Sequence, residues 1–342
     1  MIAPRPKERR RVTLIATFRG YQGFAVCADS QETITQFDEN GDAVELRRAV
    51  QKITPVKTGN CQVSIAGGGN ATLIEAFIVR ARRRLQTENL PSPRMEDVHR
   101  IVEDELALFY RNDVALCTDT DKGIKLFVAA ACQTAMECDV WISEGILLRP
   151  VAQDRPELLG WNHELYHKTA EQLFEPNMRL SRAALASIYV VTTAKKTSNY
   201  VGGELTVATV KPNGIWIEEH EYVESMEARL DSYERAVGQL FLDCADTEIS
   251  PKLLEARLGQ FAEGAQKEHR KHLDAEVAKM QSPDGGMILY SNPLARIPPG
   301  TMISVDRNGK IFNVDFDPPP PTKEQQEVPQ RYVEMDFSKP KS

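Results

Sequence analysis

Residues 12–30, VTLIATFRGYQGFAVCADS, place two apolar runs on either side of a short segment bounded by Gly20 and Gly23. Apolar, β-branched-rich runs around a glycine-containing turn read as a β-hairpin. The second run ends in an acid, Asp29, sixteen residues after Thr13. An acid at the inner end of a hairpin fits an ordinary sheet edge or one wall of a site, and the hairpin alone does not choose between them.

The pattern further along decides the fold class. ETITQF alternates, DENGD turns at Asn40-Gly41, and AVELRRAVQKITPV resumes an extended pattern. CQVSIAGGG is another strand, ending in three glycines. Two helices follow, NATLIEAFIVRARRRLQ and SPRMEDVHRIVEDELALFYRN, the second with a serine cap and a proline at its first turn. Strands return at IKLFVAAACQ, CDVWISEG and ILLRPVAQ, then helices at NHELYHKTAEQLF and SRAALASIYVVTTAKK. A hairpin turned at Asn213-Gly214 closes the block. Strands and helices segregated in this way predict antiparallel sheets with helices outside them, four layers in all. After about residue 222 come long, charged, amphipathic helical segments, then strand signals with a turn at Asn308-Gly309, then a Pro-rich polar tail.

Composition excludes several classes. The formal net charge of -7 argues against a binder of nucleic acid that works by neutralising phosphates. No stretch has the length of a bilayer span, and the basic N-terminus lacks the apolar core of a secretory signal, so a cytoplasmic protein without membrane partners is expected. Cys27, Cys61, Cys117, Cys132, Cys138 and Cys244 form no C-x-x-C pair, and several sit in apolar runs. They read as buried free thiols in a reducing compartment.

Taken in order, VTLIATFRGYQGFAVCADS, AVQKITPV and VSIAGGGNATLIEAF resemble the opening of a proteasome-type subunit, 20S β-like and close to the bacterial proteasome homologues. The resemblance covers roughly residues 11 to 220, with an insertion around FDENGDAVE. It implies the αββα sandwich of the N-terminal nucleophile (Ntn) hydrolases, here with a mostly helical C-terminal extension. The implied division is an Ntn domain over 11–220, an extension with a terminal hairpin over 222–315, and a tail over 316–342. It also implies a site. Thr13 would be the nucleophile, with its own α-amine as base once residues 1–12 are removed. Lys52 would favour the alkoxide, Asp29 would hold Lys52, and the N–H of Gly67 would receive the oxyanion. Gly69 would border the pocket before the scissile bond. The expected activity is that of a threonine-type endopeptidase or amidohydrolase acting on peptide or protein, without cofactor or metal, in a ring of copies or related subunits.

The sequence departs from that family at four places. Val12 stands where the family cuts after glycine, Trp161 where it keeps a small serine, and Ser198 and Val201 where it has an Asp and a Ser. These departures keep a catalytically silent, structural subunit as an alternative. A second alternative is a zinc peptidase. HELYH at 163–167 matches H-E-x-x-H, which on a helix puts His163 and His167 on one face with Glu164 as base. The next histidine is His220, and the strand-rich context is unlike a zincin, so two solvated histidines on a surface helix are expected instead. Gly67-Gly68-Gly69 lacks the Lys-Ser/Thr of a P-loop, and RARRR at 80–84 reads as a solvated helix end.

Overall fold

The computed structural model describes residues 8–11, 13–37, 43–50, 52–88, 93–117, 122–160, 162–246, 248–281, 302–305 and 311–315. The expected turns at Asn40-Gly41 and Asn308-Gly309, the Pro-rich tail, and Val12 and Trp161 lie outside the described residues.

The chain opens with β1 (Glu8–Arg11), β2 (Leu14–Gly20), β3 (Gly23–Asp29), β4 (Gln31–Phe37), β5 (Ala43–Ala49), β6 (Thr54–Thr58) and β7 (Cys61–Asn70). Helices α1 (Ala71–Thr87) and α2 (Met95–Phe109) follow, and α2 ends in a π turn over Tyr110–Val114. Then come β8 (Ile124–Cys132), β9 (Glu137–Glu144), β10 (Leu147–Pro150), β11 (Glu157–Gly160), α3 (His163–Leu173) and α4 (Leu180–Thr197). The block ends with β12 (Leu205–Lys211) and β13 (Gly214–Ile217). The result is a mixed α+β fold with two large antiparallel sheets. One runs β10-β9-β8-β7-β1-β4-β5, with β6 also on β7, and the other runs β11-β2-β3-β12-β13.

The hairpin is buried on both faces, and this explains its near-continuous apolar sequence. Leu14, Ala16, Phe18, Ala25 and Cys27 join a cluster with residues of α3 and α4. The alternate positions Ile15, Phe24, Val26 and Ala28 join Ile53, Ala66, Phe127 and Ala129 in a cluster drawn from both sheets. A third cluster unites α1 and α2 with β7 and β8 through Ile74, Phe77, Leu106, Ile65 and Leu126. Side chains alternate across a strand with period two, so one hairpin feeds two cores.

Two strands were not expected. β11 is four residues long and too short to show alternation, yet it pairs with β2 from Leu14↔Gly160 to Thr17↔Glu157. β1 lies ahead of the hairpin, in a segment whose basic composition hid it. The cysteine reading is corrected as well. Cys61 and Cys132 form a disulfide. They stand directly opposite each other on β7 and β8 with Cα atoms 4.2 Å apart, a juxtaposition that 71 residues of separation conceal. Cys27, Cys117, Cys138 and Cys244 are free. Burial pushes the Cys27 thiol well up, and burial beside Asp139 raises Cys138 to about 11.

Compact packing divides the chain at Val237/Gly238. The division falls inside α5 (His220–Ala245). In the first unit, the start of α5 docks on α4 through Val223 and Met226, with Lys195–Glu227 at 2.8 Å and Lys196–Asp231 at 2.7 Å. In the second unit are α6 (Pro251–Gln281) and a separate hairpin of β14 (Met302–Val305) and β15 (Ile311–Asp315). Among the described residues no helix is long and apolar enough to cross a membrane.

Candidate active site

Thr13 sits at the entry of β2, at 0% exposure. Antiparallel pairing of β2 with β3 sets Ile15 opposite Ala28, so Thr13 and Asp29 meet at one end of the hairpin. Lys52 reaches the same point from the segment just before β6, anchored by the buried neighbour Ile53. Lys52 Nζ donates to Thr13 Oγ at 2.6 Å and to Asp29 Oδ1 at 2.8 Å. Thr13 Oγ in turn donates to Asp29 Oδ1. Lys52 and Asp29 both have fully buried side chains. Three residues up to 39 positions apart therefore share one dry corner.

The carboxylate is heavily satisfied. Besides Lys52 and the hydroxyl, Asp29 Oδ1 accepts the Leu14 N–H at 3.2 Å, and Oδ2 accepts the Gly202 N–H at 3.0 Å. A carboxylate that collects backbone donors and a cation is fixed in position. Gly202 was not anticipated as part of this corner. The loop that holds it is pinned by Gln31 N–H to Gly202 O at 3.0 Å. Val201 is buried nearby in the helix-side cluster, while Ser198 ends α4 and accepts the Tyr200 N–H at 3.1 Å. Ser198 makes no contact with Thr13 among the bonds described.

The glycines divide their work. Asn70 donates its N–H to Gly123 O, at 2.8 Å, on the β8 side of β7. Alternation along an extended strand turns the Gly67 N–H, three residues back, toward the opposite edge, where β1 pairs. The missing side chain of Gly67 faces away from Thr13: a Cβ there would come within 2.9 Å of Ile74 and Leu126. Gly68 is the glycine that packs on Thr13, since its Cβ would lie 3.1 Å from the Thr13 methyl. Gly160, at the end of β11, is tighter still. Its φ is +125° and a Cβ would fall 1.8 Å from Thr13 O, so only glycine fits.

β1 lies against this corner. It pairs with β7 through Arg10↔Asn70 and Arg11↔Gly69, and with β4 through Glu8↔Thr35, Arg9↔Ile34 and Arg10↔Thr33. The segment preceding Thr13 thus fills a slot one strand wide. A recess of about 410 Å³ is lined by Gly160, Asn162, His163, Glu164 and Leu165.

The HELYH motif does fall on a helix, α3, with the His163 and His167 rings 5.6 Å apart edge to face. His163 Nδ1 is 3.0 Å from Gly160 O, so one ring nitrogen is already engaged. Glu164 is exposed. Among the described residues no three metal-ligating side chains converge.

No family model matches the chain, and no curated protein matches it. Solved structures do. A mutant of Anbu from Hyphomicrobium sp. strain MC1 is 14% identical, with a TM-score of 0.54 over 68% of this chain and 100% of that one. Anbu (ancestral beta-subunit) from Yersinia bercovieri is 13% identical, with a TM-score of 0.53 over 67% and 96%. The helical assembly of the Anbu complex from Pseudomonas aeruginosa supplies a third, 12% identical, with a TM-score of 0.53 over 66% and 95%. These neighbours correct the resemblance drawn from the sequence: they are Anbu proteins, a family distinct from the 20S β-type subunits. At such identities the likeness establishes the fold alone, and the fold of this chain is similar to that of Anbu.

Proposed function

We propose that this chain is a proteasome-like subunit that hydrolyses peptide bonds with Thr13 as an N-terminal nucleophile, once residues 1–12 are removed. The observation that carries the reading is the Thr13–Lys52–Asp29 cluster, fully buried and bonded at 2.6 and 2.8 Å. A buried ion pair is a poor way to stabilise a fold, and replacing such pairs by apolar residues often does better. A cation held against a hydroxyl is, by contrast, what an alkoxide needs.

The chemistry on this reading balances as follows. The freed Thr13 amine takes the proton of Oγ, and Oγ attacks the substrate carbonyl carbon. The Gly67 N–H receives the oxyanion, and the leaving amine takes the proton as the C–N bond breaks. Water then hydrolyses the ester and restores Thr13. While its nitrogen is acylated by Val12, Thr13 has no such base, and its hydroxyl points its proton at Asp29 instead. Asp29 is therefore more than a support for Lys52.

The proposal includes the four-layer αββα stacking of Ntn hydrolases, with the three core clusters between successive layers, the domain over 11–220 and the extension beyond it. It also includes self-association, motivated by the assembled Anbu complex of Pseudomonas aeruginosa. A silent subunit is the second reading, favoured by a Thr13 that is wholly buried and preceded by a paired strand. Intact mass of the purified full chain, followed over time, tests the first reading. Loss of residues 1–12 in the wild type, absent in Thr13→Ala, is expected. A chain that keeps Met1–Val12 and hydrolyses nothing favours silence.

A further inference from the structure

Among the described residues β1 is the sole strand joining the β4–β5 hairpin to the rest of its sheet, because the order reads β7-β1-β4-β5. Removing residues 1–12 therefore leaves a slot with two open strand edges, which end at Thr13. Unpaired strand edges recruit an extended peptide. The registers then fix what each residue of such a peptide meets. Pairing of Arg10 with Thr33 and of Arg9 with Ile34 continues to set position 11 opposite Glu32, while on the other side position 11 pairs with Gly69.

Residues directly opposite on neighbouring antiparallel strands share a sheet face. A peptide residue in the place of position 11, two before Thr13, meets no side chain from Gly69 on one flank. On the other flank it meets that of Glu32, at 0% exposure. Glu32 is itself opposite Arg48 on β5. A carboxylate has about four lone-pair sites and serves two cations at once, whereas a second buried carboxylate beside it is repelled. The chain's own sequence has Arg at position 11.

Building on the proposed reading of Thr13 as nucleophile, we infer that Glu32 is a specificity-determining residue. It makes the slot between β4 and β7 select peptides with a basic residue two positions before the scissile bond and reject those with an acidic one there. Selection by both attraction and repulsion is how a single buried charge discriminates.

The test uses the full chain with a site-specific protease sequence inserted between Val12 and Thr13, folded and then cut. Fluorescent Glu-Arg-Arg-Arg-Val and its versions with alanine or glutamate as fourth residue are exchanged into the slot. Arginine is expected to bind about tenfold tighter than alanine and about a hundredfold tighter than glutamate, as buried charge pairs at interfaces discriminate. Glu32→Gln should flatten the series, and Glu32→Asp should keep its order. Equal affinity of the three peptides for the wild type, or no binding by any, overturns the inference, and this arm stands even where Glu32→Gln fails to fold. Hydrolysis is read separately on the same samples. An intact preference without turnover overturns the nucleophile reading and leaves the basic slot standing.

Discussion

The corner at Thr13 and the helix at His163–His167 make opposite cases. HELYH is the more specific string in the sequence, yet its two rings stand on a half-open helix with no third ligand among the described residues. Thr13, Asp29 and Lys52 are individually unremarkable residues spread over 40 positions, yet their polar atoms meet within 2.8 Å in a dry site. Chemistry is carried by convergence in low dielectric, where a charge must be compensated and its neighbours fixed. A motif on one exposed helix supplies spacing without that environment.

The sharpest way to break the contrast is Thr13→Ala. It should abolish both release of residues 1–12 and peptide hydrolysis, a loss of at least about 10³-fold, as for other covalent nucleophiles. The fold should survive, since the change removes a hydroxyl and a methyl group, and circular dichroism checks this. Lys52→Ala and Asp29→Asn come next, and each should cost about 3–5 kcal/mol in denaturant unfolding, because each strands a buried group. Asp29→Asn is expected to rival Lys52→Ala in activity loss, since Asp29 also accepts from Thr13, Leu14 and Gly202. The double change Lys52→Met with Asp29→Leu should recover only part of the stability, since the Leu14 and Gly202 N–H groups and the Thr13 hydroxyl lose their acceptor, and none of the activity. A recovery of activity would place the chemistry elsewhere.

Smaller effects sharpen the comparison from the other side. Alkylation of the unfolded, unreduced chain should add four labels rather than six, because Cys61 and Cys132 are paired. Reduction should lower stability by roughly 2–4 kcal/mol, as for disulfides closing long loops. Six labels would remove the disulfide from the account. At the bottom of the range, His163→Ala and His167→Ala should each change hydrolysis less than about twofold, and a chelator should leave it unchanged. A large chelator effect would reverse the roles of the two regions.

Much of this was readable before any coordinates. The two apolar runs VTLIATF and GFAVCAD around a glycine-bounded turn announced the hairpin, and the order of strand and helix blocks announced antiparallel sheets with helices beside them. Thr13, Asp29 and Lys52 were picked out through resemblance; the β2–β3 register explains why Thr13 and Asp29 meet, while Lys52 comes from beside the other sheet, a meeting that no strand register records. Three things were hidden, each by a contact that no local pattern records. β11 is too short to alternate, Gly202 enters through a loop 173 residues from Asp29, and the disulfide depends on the β7–β8 register. β1 was hidden for a different reason: Glu8–Arg11 is wholly charged and shows no apolar alternation, and the two flanking strand edges make it a strand. The family assignment erred for a related cause. Short strand-end motifs mark the fold, which Anbu shares, and do not separate the families that have that fold.

The most direct measurement compares hydrolysis of a peptide amide by the full chain before and after the engineered cut between Val12 and Thr13, in the wild type and in Thr13→Ala. The account predicts turnover only from chains that begin at Thr13, whether the cut or their own processing has freed it and as intact mass records, because the freed amine is the base. Turnover by chains that still carry residues 1–12, or turnover that survives Thr13→Ala, would contradict it.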